Sequence, residues 1–236
     1  MLHWNCCSLI TAIFVIAPII MLKPNRFSEA DFGRIREAVL QAEAKISGEI
    51  VPVFVENSGH YKVAVYRGGI TGMMLFFLLV ILLDRYYPAF AVYDPILIFL
   101  ITVLGAIIGM LLPHYLPAVK RALLSKDHIE RITRLRAESA FLQEEVFNTR
   151  HRTGIMLFVS FFEHEVIVMS DRGISKVVDQ KEWENIVRMI TSGISGGNVI
   201  GGMESAIHRC GEILLEKGFL KETDDSNELS DNLRVD

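Results

Sequence analysis

The chain has 236 residues, of which 51% are hydrophobic, and a formal net charge of −4. Those values exclude an ordinary soluble domain, which is less apolar, and a nucleic-acid binder that works through bulk positive charge. With three cysteines, only Cys210 of them outside the N-terminal apolar stretch, they also exclude a disulfide scaffold.

Residues 1–22 form an apolar N-terminal segment carrying Cys6 and Cys7. Residues 4–22 are apolar enough to span a membrane. No Lys or Arg precedes them and no small-residue cleavage site follows, so a signal peptide fits poorly. The alternative is a misassigned start, with translation beginning at Met21. Residues 23–67 open the globular part. Ser28 followed by Asp31 predicts a helix start, and Phe32, Ile35, Val39, Ala42 and Ile46 recur at helical spacing over 29–45. Residues 50–55 are apolar and β-branched, a predicted strand, with Pro52 suggesting an edge position.

Residues 68–83 and 96–112 are two uncharged apolar runs, the second extending to residue 116. Each is close to the roughly 17–25 residues that cross a bilayer as a helix. Only residues 84–95 separate them, so the sequence predicts a transmembrane hairpin over 68–116. Its two ends lie on one face of the membrane, and residues 23–67 and 117–220 can then form one domain. Lys120, Arg121, Lys126, Arg131, Arg134 and Arg136 follow the second run, and Lys62 and Arg67 precede the first, while the connecting turn has Arg85 against Asp84 and Asp94. Cytoplasmic flanks carry the excess of Lys and Arg, which places the turn outside and the domain in the cytoplasm. The same basic cluster can meet anionic lipid headgroups. Gly105 and Gly109 stand one helical turn apart, spacing that suits close helix packing within the hairpin or against another membrane protein, including a second copy.

Beyond the hairpin, Ile129, Ile132, Leu135, Leu142 and Val146 mark a helix, and residues 154–160 and 166–170 read as two strands joined by a short connection. Trp183, Ile186, Val187 and Ile190 mark the next helix. Ile200, Met203, Ile207, Cys210 and Leu214 mark the last, closed by Gly218. Residues 221–236 are polar and acidic and are expected to be disordered. The fold class is α/β, a small mixed sheet flanked by helices and interrupted by a two-helix transmembrane hairpin.

Several strings of this chain resemble the TPM domain, named for a thylakoid lumen protein, a photosystem repair protein and a regulator of acetylcholine receptors. They are Ser47-Gly48-Glu49-Ile50, Arg152-Thr153-Gly154, Glu163-His164-Glu165-Val166, Asp171-Arg172-Gly173-Ile174, Gly201-Gly202 with Ala206-Ile207, and Asn227-Glu228-Leu229. The resemblance is to the bacterial branch that carries a membrane hairpin inside the domain. It implies a multi-pass protein of the bacterial inner (plasma) membrane. The cytoplasmic domain would be a binding or scaffolding module, in membrane-protein assembly or stress response. The alternative it implies is a metal-dependent acid-phosphatase-like hydrolase. In that case Ca2+ or Mg2+ would be the cofactor, and Asp171, Asp179 and Glu182 its carboxylate ligands; no other cofactor is implied.

Three further motifs are weighed by their context. Residues 193–197 match G-x-S-x-G literally, but a nucleophile elbow needs a strand before the serine, and here a helix precedes it. Asp171-Arg172-Gly173 follows a strand and, apart from any metal role, reads as a plain turn, with Gly173 able to supply a positive φ. Glu163, His164 and Glu165 read as a solvated turn. His60, His128, His151 and His208 show no ligand spacing, and Cys210 reads as a small buried apolar residue.

Overall fold

The computed structural model describes residues 27–221, 229 and 232–235. The N-terminal segment 1–22, with its alternative readings, lies outside them. The described chain forms two compact units, one holding residues up to Ser58 and from Glu130 on, the other spanning Gly59–Ile129.

The first unit is α/β. Helix α1 (Glu29–Glu43) starts on the expected capping box: the Ser28 side chain accepts from the Asp31 N–H, and the Asp31 carboxylate accepts from the Ser28 N–H. Strand β1 (Glu49–Val55) runs parallel to β2 (Gly154–Ser160), in register from Glu49 opposite Gly154 to Val55 opposite Ser160. Strand β3 (Glu165–Ser170) returns antiparallel to β2. A short β4 (Arg234–Val235) adds parallel to the other side of β1, giving the order β3-β2-β1-β4. The sheet is therefore mixed and four-stranded, and its central pair joins strands from either side of residues 59–129.

Both faces of the sheet are covered, which explains why its strands read as continuous apolar runs rather than alternating ones. One face carries Ile50, Phe54, Ile155, Leu157, Val159, Val166 and Val168. These pack with Ile35 and Val39 of α1, with Trp183, Ile186 and Ile190 of α7 (Gln180–Ser195), and with Met203, Ile207 and Leu214 of α8 (Val199–Glu216). The other face carries Val51, Val53, Val55, Met156, Phe158, Ile167 and Met169 against Ala137, Ala140 and Phe141 of α5 (Lys126–Gln143). Helix α8 ends at Glu216, and Gly218 follows its cap with a φ of +85°, open to glycine without strain.

The second unit is a helical hairpin. Helix α2 (Lys62–Tyr86) and helix α3 (Pro95–Tyr115) extend beyond the apolar runs at both ends, and a short α4 (Pro117–Ala122) follows a break at Leu116. Asp94 caps α3, accepting from the Ile96 N–H at 2.8 Å, and Pro95 occupies its first position.

Three local expectations are corrected. The tail is not all irregular: Arg234–Val235 forms β4. Asp171-Arg172-Gly173 is not a plain turn but the start of a four-residue helix, α6 (Arg172–Ser175). Gly173 is not used for a positive φ. It is needed for close approach, since a Cβ there would stand 2.5 Å from the Arg152 carbonyl oxygen.

Candidate functional site

The hairpin seam is built from glycine. A Cβ on Gly68 would collide with the Gly109 carbonyl oxygen, and one on Gly72 with the Gly105 carbonyl oxygen. A Cβ on Gly109 would also reach within 3.0 Å of the Gly72 Cα, and one on Gly105 within 2.8 Å of the Gly72 oxygen. Only residues without a Cβ let two helix backbones come this near. Gly105 and Gly109 thus face α2 of the same chain. The remaining surface of both helices is exposed and apolar: Ile70, Met74, Leu75, Phe77, Leu78 and Ile81 on α2, and Ile96, Phe99, Leu100, Leu104, Ile107 and Leu111 on α3.

At the foot of the hairpin the chain ties itself together. Tyr61 is buried; the Lys120 ammonium lies 5.5 Å from its ring centroid, and the His128 ring meets it edge-on at 6.3 Å. The Arg67 guanidinium donates to the Leu123 carbonyl at 2.9 Å. Exposed tyrosines mark both ends, Tyr66 and Tyr115 near the foot, Tyr86, Tyr87 and Tyr93 near the turn. The six-residue basic cluster is divided: Lys120, Arg121 and Lys126 belong to the hairpin unit, while Arg131, Arg134 and Arg136 lie on the stretch of α5 in the α/β unit. Arg134 is 3.4 Å from Glu138, one turn along α5.

The three carboxylates expected at a metal lie in three different settings. Asp171 is 2% exposed. It caps α6 by accepting from the Arg172 N–H at 2.7 Å, and its second oxygen faces the Arg152 guanidinium at 3.7 Å. Arg152 carries that contact on a backbone of φ +56°, in the tight turn leading into β2. Asp179 sits at the N-terminus of α7, exposed. Glu182 pairs with Arg209 at 3.0 Å. Glu212, Glu182 and Glu216 together hold the Arg209 guanidinium above its ordinary pKa. Among the described residues no three His, Cys, Asp or Glu side chains gather as a metal would require.

The residues 163–165 are not a solvated turn. Glu163 is 1% exposed and Glu165 is also buried. The Glu163 carboxylate accepts from the Ser58 N–H at 2.8 Å and from the Ser160 hydroxyl, and the Ser58 and Ser160 hydroxyls meet at 2.8 Å. This network pins the chain leaving β1 to the turn that follows β2. The polar, turn-like context of Glu163 gave no sign of its burial; its three-residue offset from Ser160 was the only available signal. A similar carboxylate, Glu43, accepts from the Ile50 N–H at 2.7 Å.

Residues 193–197 form a helix–helix corner: Ser195 ends α7, and Gly193 lies so near α8 that a Cβ would stand 2.6 Å from the Gly202 Cα. Cys210 is buried, and burial pushes its thiol up to about 12.

No protein-family model matches the chain, and no curated protein matches it. Among solved structures it is similar to the NMR structure of the BA42 protein from the psychrophilic bacterium Bizionia argentinensis sp. nov. The TM-score is 0.56 and the identity 16%, over 92% of this chain and 100% of that one. At that identity the likeness is one of fold.

Proposed function

We propose that the chain is a membrane-anchored binding module. Helices α2 and α3 cross the bilayer as a hairpin, and the α/β unit is held at the cytoplasmic face as a docking or scaffolding domain. One observation carries the anchor. Within the most apolar window of each helix only 17% of residues are buried. A core helix of a soluble protein has the same composition, but it hides that surface; here the two helices share only a glycine seam and leave Leu, Ile, Met and Phe outward. An exposed apolar surface of this extent needs a nonpolar solvent. The lengths agree: 25 and 21 residues at 1.5 Å rise give roughly 37 and 32 Å, against a hydrocarbon core of about 30 Å. Tyrosines at both ends suit the headgroup layers. The foot carries Lys62, Arg67, Lys120, Arg121 and Lys126 against Asp127, and the turn Arg85 against Asp84 and Asp94, which supports a cytoplasmic foot. The hydrolase alternative gains no such support: Asp171 caps α6 beside Arg152, Glu182 pairs with Arg209, and Asp179 lies exposed at the start of α7.

The reading is tested by extraction and by fusion. The chain should stay with membranes through alkaline carbonate washing. A reporter enzyme active only outside the cytoplasm should work when inserted after Tyr87 and fail when fused after Val235. Release by carbonate refutes the anchor; the opposite reporter pattern refutes the topology.

A further inference from the structure

The outer edge of β1 is almost closed to pairing. The Glu49 N–H donates to the Thr153 carbonyl at 3.3 Å, and the Val55 carbonyl accepts from the Phe161 N–H at 3.1 Å, so odd-numbered residues of β1 turn their backbone groups toward β2. Backbone groups alternate sides along a strand, so Ile50, Pro52 and Phe54 turn theirs outward. The Ile50 N–H is taken by Glu43. Pro52 has no N–H to give. Phe54 offers the one remaining donor, and β4 pairs there, Arg234 opposite Val53 and Val235 opposite Phe54.

So short a pairing holds little by itself; side chains supply the rest. The Arg234 guanidinium donates through Nε to the Glu144 carboxylate at 2.7 Å. Leu233 packs against the core on one face of the sheet and Leu229 against the core on the other. The segment is also tethered close by. Ser47 donates to the Phe219 carbonyl at 3.1 Å and Lys221 to the Lys45 carbonyl at 3.3 Å, beside the start of β1.

We infer that the open end of the β1 edge, with Glu144 beside it, is a docking site for an extended segment of a partner polypeptide, and that Leu233, Arg234 and Val235 occupy it in cis as a strap. The partner's chemistry is read from the strap: an apolar residue, then an arginine for Glu144, then a β-branched residue that runs parallel to β1. Strand addition of this kind draws affinity from the backbone and specificity from alternate side chains. Pro52 and Glu43 restrict it to a short, register-defined stretch, which keeps the edge from general aggregation. The inference rests on the binding-module reading and names its surface.

The test uses the membrane-extracted chain ending at Lys221 and the fluorescein-labelled peptide SNELSDNLRVD, residues 226–236, read by anisotropy. The shortened chain should bind the peptide saturably, and the full chain at least tenfold more weakly because its own strap competes. A peptide with Arg234→Glu should bind the shortened chain at least tenfold more weakly, and Glu144→Arg in the protein should restore it. Equal binding by full and shortened chains overturns the strap. Indifference to both charge reversals overturns the site, as does no binding by a shortened chain that melts cooperatively. If the shortened chain does not fold, the full chain carrying Arg234→Glu replaces it; that variant should gain peptide binding, and no gain overturns the inference. Failure of the anchor would show in carbonate extraction, which this experiment does not touch.

Discussion

Glu163→Ala should be among the most damaging single changes in the α/β unit. The carboxylate is 1% exposed and accepts from the Ser58 N–H and the Ser160 hydroxyl. Hydrogen bonds to a charged group are worth about 1.5–3 kcal/mol each, and a donor left buried without a partner costs about 1–3 kcal/mol. The two losses overlap, because Ser58 and Ser160 already meet through their hydroxyls and can partly satisfy each other. A net loss of about 3–4 kcal/mol follows. For a unit of this size it corresponds to a fall in melting temperature of roughly 6–16 °C. Glu163→Gln keeps an oxygen for the Ser58 N–H, and the Ser160 hydroxyl can rotate to accept from the new amide, so the loss should stay near 1 kcal/mol. Thermal unfolding followed by circular dichroism separates the two variants. A Glu163→Ala protein within about 1 kcal/mol of the parent would refute the claim that this network ties β1 to the β2–β3 turn. So would additivity with Ser160→Ala, since residues sharing a network couple by about 0.5–3 kcal/mol in a double-mutant cycle.

Gly72→Leu should force α2 and α3 apart, since a Cβ there meets the Gly105 oxygen and stands 2.9 Å from the Gly109 Cα; labels at Tyr66 and Tyr115 should report a longer distance by double electron–electron resonance, whereas Gly33→Leu, with open space around it, should leave the hairpin unchanged. Cys210 should resist a maleimide in the native protein at pH 8 and react fully in denaturant. The native thiol is raised to about 12 from an ordinary 9.0, so its contribution to stability is complete below pH 9. It is lost between pH 9 and 12, as the unfolded thiol ionises first; Cys210→Ala should remove that alkaline decline. Replacing residues 59–129 by a Gly/Ser linker should leave a cooperative fold, because β1 and β2 pair directly over seven positions.

The elements visible in the sequence are those written in hydrophobic period. The amphipathic helices, the two long apolar runs and the Ser28–Asp31 cap are all set by residues near one another in the chain. The apolar runs of β1 and β2 are legible as strands, but Pro52 pointed to an edge position and β1 lies inside the sheet, between β2 and β4. What depends on distant residues was not legible. Glu163 looks solvated until Ser58, far earlier in the chain, is brought beside it. Gly173 looks like a turn residue until the Arg152 carbonyl closes over it. Residues 234–235 sit in an acidic, polar context, and only the open end of β1 makes them a strand. The proposed metal ligands share a region of sequence, but Asp171 is turned toward Arg152 and Glu182 toward Arg209, partners that no local pattern names.

The pairing of β1 with β2 sets a schedule for synthesis. About a hundred residues separate Glu49 from Gly154, so at roughly 5–20 residues per second a ribosome needs about 5–20 s to deliver the partner strand. During that wait Glu49–Val55, an apolar and β-branched heptapeptide, stays unpaired in water. Such a segment is the kind that nucleates intermolecular sheets. Pro52 interrupts it, and so serves the nascent chain as well as the finished one. The finished sheet loses one outward N–H by having proline there; the unfinished chain gains its main protection from it.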